Sequence, residues 1–130
     1  MTIYISTPIN ARKEQTFEQK YNAARQRVEH IIEVLHEEPQ YRDATFVSTF
    51  DLCPLGTKTE SEAIGRCVQA VMESDMLYFD CRASESKGCS LEYWTACIYG
   101  KPVISASMFG RLKGYDPLTP KSNPKTHNCT

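Results

Sequence analysis

The sequence predicts an α/β domain, a parallel sheet covered by helices on both faces, and three observations carry that prediction. Short apolar runs rich in aromatic and β-branched residues recur at Ile3–Ile5, Thr45–Phe50, Met76–Phe79 and Val103–Ile104. Stretches of helical length separate them, two with apolar residues at helical spacing. Strand and helix thus alternate throughout, and strands joined through helices lie parallel.

Each element has its own signals. Ile3-Tyr4-Ile5 is a compact strand ended by Pro8, with Ser6-Thr7-Pro8-Ile9-Asn10 as the turn. Thr16-Phe17-Glu18-Gln19 has capping-box form. Phe17, Tyr21, Ala24, Val28, Ile31, Ile32 and Leu35 then recur at helical spacing until Pro39 closes the helix. Thr45 to Phe50 reads as the second strand from its residue types, and Asp51 to Lys58, with Cys53-Pro54-Leu55-Gly56, as a loop. Thr59-Glu60-Ser61-Glu62 repeats the capping box and opens a helix with Ala63, Ile64, Cys67, Val68, Val71 and Met72 on one face.

Met76 to Phe79, bounded by Asp75 and Asp80, suits a buried parallel strand, and Asp75 reads as a strand-start residue. Residues 81 to 88 are polar loop and cap chemistry, Cys89 to Tyr99 a helix, Gly100 its stop, and Val103-Ile104 the last strand. The expected strand order is 2-1-3-4, a Rossmann-like (flavodoxin-like) three-layer sandwich. Its switch point lies between strands 1 and 3, so the loops after Ile5 and Phe79 flank one crevice. Residues 1 to 110 make one domain. Residues 111 to 130, Pro-rich and polar, form an irregular tail, either frayed or an arm that packs on a neighbouring subunit.

Composition narrows the partners. At 130 residues the chain can bury a core without staples. A net charge of -1 with both signs interspersed gives no footprint for nucleic acid or an anionic membrane, so a small-molecule partner is expected. No apolar run approaches the ~18 residues of a membrane span, and the first strand begins too early for a signal peptide, so a cytoplasmic protein is expected. The six cysteines (Cys53, Cys67, Cys81, Cys89, Cys97, Cys129) include no Cys-x-x-Cys pair, and His30, His36 and His127 stand at no metal-ligand spacing to them. The cysteines read as small, mostly buried hydrophobes, those on helices among core-facing residues, with neither metal nor cofactor expected. A Walker loop, a Gly-x-Gly-x-x-Gly turn and a Gly-x-Ser-x-Gly elbow are all absent from the sequence.

Glu92 is the only charged residue between Lys87 and Lys101. Gly88, Cys89, Thr95 and Ala96, one turn away, are all small. Such a stripe either leaves room for a ligand beside the carboxylate or lets the helix approach the sheet with Glu92 at a solvated edge. Spacing alone leaves both open.

Two motifs resemble the nucleoside 2-deoxyribosyltransferase superfamily. They are Ile3-Tyr4-Ile5-Ser6-Thr7-Pro8-Ile9 and Ser86-Lys87-Gly88-Cys89-Ser90-Leu91-Glu92, the latter followed by Ala96 and Gly100-Lys101-Pro102. They are most similar to its small bacterial and phage branch, related to deoxynucleoside 5'-monophosphate N-glycosidases. The resemblance spans about residues 2 to 106 in element order and does not cover the tail. It implies N-glycosidic bond cleavage or 2-deoxyribosyl transfer on a deoxynucleoside or its 5'-monophosphate. Glu92 falls at the family's nucleophile and Tyr4 at the tyrosine that helps hold it.

By the same resemblance, Ser86, Lys87 and Gly88, with Ser6, Thr7, Pro8, Ile9 and Asn10, fall at the substrate-binding positions, and a homo-oligomer is implied. Serine at position 86, where nucleoside transferases commonly have aspartate, matches the nucleotide hydrolases and suits a phosphate. One departure stands out. Where the family usually has an aspartate that assists the leaving base, this chain reads Gly65-Arg66-Cys67-Val68, leaving Asp80, Asp51 or Glu85 as substitutes. The alternatives to an enzyme are a non-catalytic nucleotide-binding protein and a scaffold of the same fold.

Overall fold

A computed structural model describes residues 1–9, 16–54, 59–80 and 86–105. Four parallel strands, β1 (Thr2–Ser6), β2 (Thr45–Ser48), β3 (Met76–Phe79) and β4 (Val103–Ser105), form one sheet in the order β2-β1-β3-β4. The helices are α1 (Phe17–Glu37), a four-residue α2 (Thr49–Leu52), α3 (Glu60–Glu73) and α4 (Lys87–Ile98), with a 3-10 turn at Pro39–Tyr41. Pairing sets Ile3 against Phe46 and Met76, and Ser6 against Phe79. The tail and the segment Leu55–Lys58 lie outside the described residues.

Alternation along the strands builds two cores. Ile3, Ile5 and Tyr78 pack with Val28, Ile31, Val34 and Leu35 of α1, while Tyr4 and Leu77 face the other way onto Cys67, Ala70 and Val71 of α3 and Ala96 of α4. Both expected capping boxes are present. Thr16 Oγ1 accepts from Gln19 N at 3.1 Å and Thr59 Oγ1 from Glu62 N at 3.3 Å. The end of α4 is a Schellman motif. Lys101 N donates to Ala96 O at 2.8 Å and Gly100 N to Cys97 O at 3.2 Å, with Gly100 at φ +69°, a conformation that favours glycine. Asp75 does act at a strand start: its Oδ2 accepts from Thr2 N at 2.7 Å.

Four expectations need correction. The second strand stops at Ser48, because Ser48 and Asp51 form a capping box that turns Thr49–Leu52 into a helical turn. Phe17 is exposed, since it is the first residue of α1 and stands beyond the reach of the core. Met72 is likewise exposed, and Ala70 takes a place in the α3 core. Cys97 is exposed rather than buried, because α4 turns it away from the sheet.

Candidate active site

The carboxyl end of β1 opens onto a cleft of about 200 Å³; among the described residues β3 contributes none to its lining. Tyr4 and Ile5 of β1 and Thr7, Pro8 and Ile9 after it line one part of it. Thr49 of α2 and Ala63, Ile64 and Cys67 of α3 line another. The third part is the start of α4, with Ser86, Gly88, Cys89 and Glu92.

Glu92 lies against this cleft with only 6% of its surface exposed, so the solvated-edge alternative fails. Ala96 of α4 packs in the same core as Tyr4 of β1, and β1 supplies the partners of Glu92. Tyr4 donates its hydroxyl to Oε2 at 2.8 Å and Ser6 donates Oγ to Oε1 at 2.7 Å. Burial pushes the Glu92 carboxyl up to about 7, against the pull of the Ser6 and Tyr4 hydrogen bonds. A group poised there is divided between acid and carboxylate at neutral pH, the range in which general acids, bases and nucleophiles operate. Its charge acts back on its surroundings. Burial first, then Glu92, holds the Tyr4 hydroxyl well above its ordinary range and pushes the Cys89 thiol up to about 12.

The start of α4 borders the same cleft. Ser86 is the N-cap, its Oγ accepting from Cys89 N at 3.3 Å, and a Cβ on Gly88 would meet only that Oγ at 3.9 Å. Thr7 is buried and lines the same cleft, and among the described residues its Oγ1 has no hydrogen-bond partner. A buried hydroxyl without a partner is costly, and a ligand oxygen would satisfy it.

Of the site residues expected from the sequence, Tyr4, Thr7, Pro8, Ile9, Ser86, Gly88 and Glu92 line one cleft. Ser6 stands fully buried behind Glu92 as a hydrogen-bond donor. Lys87 is exposed at the first turn of α4 and is not among the lining residues, and Asn10 lies outside the described residues. The substitute acids fare differently. Asp80 is fully buried and held through both oxygens by Arg27 of α1, with Nη2 to Oδ1 at 2.9 Å. Asp51 caps α2, accepting from Ser48 N at 2.9 Å, and Glu85 lies outside the described residues.

Sequence reasoning had passed over Cys67 and Cys89 as packing residues, yet both border the cleft. Cys67 lies 3.3 Å from Thr49 Oγ1 and within hydrogen-bond reach of the Tyr4 hydroxyl. For Cys89 the available signal was position, one turn before Glu92 on the same face of α4. Among the described residues no cluster of three histidine, cysteine or acidic side chains could hold a metal, and no helix is long and apolar enough to cross a membrane.

Comparison with family models, with curated proteins and with solved structures finds no match to this chain.

Proposed function

We propose that this protein cleaves the N-glycosidic bond of a 2'-deoxynucleoside or its 5'-monophosphate, or transfers the sugar from it, with Glu92 as nucleophile at the anomeric carbon. The observation that carries the reading is the carboxyl of Glu92, buried at a cleft with a donor on each oxygen. Attack expels the base through an oxocarbenium-like transition state and leaves a glycosyl-enzyme that water or a second base resolves. Tyr4 and Ser6 hold the carboxylate in one orientation, which favours a reactive approach.

In support of a 5'-phosphate at the start of α4, a helix N-terminus favours an anion, and Ser86 and the Thr7 hydroxyl, which has no partner among the described residues, line the same cleft. Incubation with a panel of deoxynucleosides and their monophosphates, with detection of free base, tests the reading. Base release that survives loss of the Glu92 carboxyl would refute it.

One observation favours a second reading, a non-catalytic nucleotide-binding protein. Asp80 and Asp51 are both engaged in structural bonds, so neither stands ready to assist a leaving base. Binding of monophosphates without any turnover would establish that reading instead.

The same proposal takes the protein as a cytoplasmic homo-oligomer. In support, Leu91, Trp94 and Ile98 form an apolar stripe along the outer face of α4, with Trp94 62% exposed. A monomer by light scattering at working concentration would count against it.

A further inference from the structure

A second cavity, of about 280 Å³, lies on the α1 side of the sheet, where β2 runs into α2. Val28 and Ile32 of α1 and Phe50 of α2, all packed with the α1-side core, supply its apolar lining. Arg25 and Glu29 of α1, with Asp51 of α2, bring charge to it. The cleft that holds Glu92 shares none of these residues.

Arg25 and Glu29 stand one turn apart with opposite charges, a spacing at which such side chains can pair. Here they do not. Neither enters an ion pair or a side-chain hydrogen bond among the described residues. Their order along the helix accounts for this, since a basic residue one turn before an acidic one pairs less well than the reverse. The cavity therefore offers a cation and an anion, roughly 5–6 Å apart at Cβ, beside apolar carbon. An ammonium and a carboxylate carried on one carbon atom match that arrangement. The cavity is also smaller than the ~300–1,000 Å³ that drug-sized ligands occupy, so its occupant is small.

We infer that this cavity binds an α-amino acid with an apolar side chain: Arg25 donates to its carboxylate, Glu29 accepts from its ammonium, and Val28, Ile32 and Phe50 receive the side chain. The occupant reaches the other cleft through α2. That helix has only four residues, and Phe50 and Asp51 line this cavity while Thr49 of the same turn lines the cleft of Glu92. Asp51 Oδ2 accepts from Ser48 N at 2.9 Å at the start of the turn, and Cys53 N donates to Thr49 O at 2.8 Å at its end. A bound amino acid braces this turn. None of this depends on the N-glycosidic reading.

Calorimetry on the intact protein with L-phenylalanine as probe tests the site, beside 2-phenylethylamine, which lacks the carboxylate, and 3-phenylpropionate, which lacks the ammonium. L-Phenylalanine should bind saturably and each analogue at least about fivefold more weakly, the upper end for an exposed ion pair, because apolar neighbours shield one side of the site from water. Arg25→Gln should erase the advantage over 2-phenylethylamine, and Glu29→Gln the advantage over 3-phenylpropionate. Both residues are exposed, so the fold should survive either change. Hydrogen exchange at the Cys53 amide should slow when L-phenylalanine is bound. No saturable binding, or binding indifferent to both substitutions, would overturn the site. Unchanged exchange at Cys53 in the bound protein would overturn its hold on α2.

Discussion

Tyr4 and Glu92, 88 positions apart in the chain, are joined by a buried hydrogen bond of 2.8 Å in which the hydroxyl donates to Oε2. The bond favours the ionised carboxyl, so its removal raises Glu92 above about 7. A hydrogen bond to a charged group is worth about 1.5–3 kcal/mol, equivalent to roughly one to two pH units. Tyr4→Phe is therefore expected to move the acidic limb of the base-release profile upward by about that amount and to lower the rate at neutral pH by about 5- to 50-fold. A profile that falls uniformly without shifting would assign Tyr4 a packing role only.

Glu92→Gln keeps the shape of the side chain and removes the nucleophile. Base release should be abolished while ligand affinity, read by calorimetry, stays within about tenfold. Comparable turnover in this variant would take Glu92 out of the mechanism.

The same substitution tests the burial of the carboxyl through stability. Folding raises Glu92 from 4.5 to about 7, so the folded state binds the proton more tightly than the unfolded chain. The protonated form contributes fully below 4.5, and that contribution is lost as pH rises through about 7. Between pH 5 and pH 8 the parent protein should therefore lose about 2 kcal/mol relative to Glu92→Gln, because each tenfold gain in proton affinity on folding is worth ~1.4 kcal/mol. Denaturant unfolding of both proteins at the two pH values measures it. Parallel losses would mean that Glu92 titrates as an ordinary exposed carboxyl.

Ser86→Asp places a carboxylate at the cap of α4. If the phosphate of a nucleotide sits there, the parent protein should bind the monophosphate at least roughly tenfold more tightly than the nucleoside, since the helix terminus supplies ~0.3–1 kcal/mol and each charged hydrogen bond about 1.5–3. The variant should lose or reverse that preference by like-charge repulsion. Aspartate also caps helices well, so the fold should survive the change. Calorimetry with both ligands on both proteins decides it, and a preference untouched by the substitution would place the phosphate elsewhere.

The alternating order of elements was readable because the signals were local. Thr16 with Gln19 and Thr59 with Glu62 announce helix starts, and Gly100 announces a stop. The break at Ser48 was equally local, a Ser-x-x-Asp cap, but the strand preference of Thr49 and Phe50 masked it. Glu92 could be singled out as a lone carboxyl on a small-residue face, whereas its burial could not, since that depends on Tyr4 and Ser6 arriving from the far end of the chain. Arg27 gave no warning. A charged residue beside an apolar stripe is usually solvated, and only the fold reveals Asp80 opposite it. Breaking so buried a pair from one side leaves an uncompensated charge, which makes it a fixed strut between α1 and the end of β3.

The central place of β1 in the sheet carries a consequence for the newborn chain. Its two flanks are covered by β2 and β3, and the residue paired with Ile3 on the β3 side is Met76. At ~5–20 residues per second, a chain emerging from the ribosome waits roughly 4 to 15 s between delivering Ile3 and delivering its partner. Throughout that interval an apolar strand has at least one bare hydrogen-bonding edge, which is the feature that recruits stray strands from other chains. Yield of folded protein in a cell should therefore depend on holding this segment apart until β3 has been made.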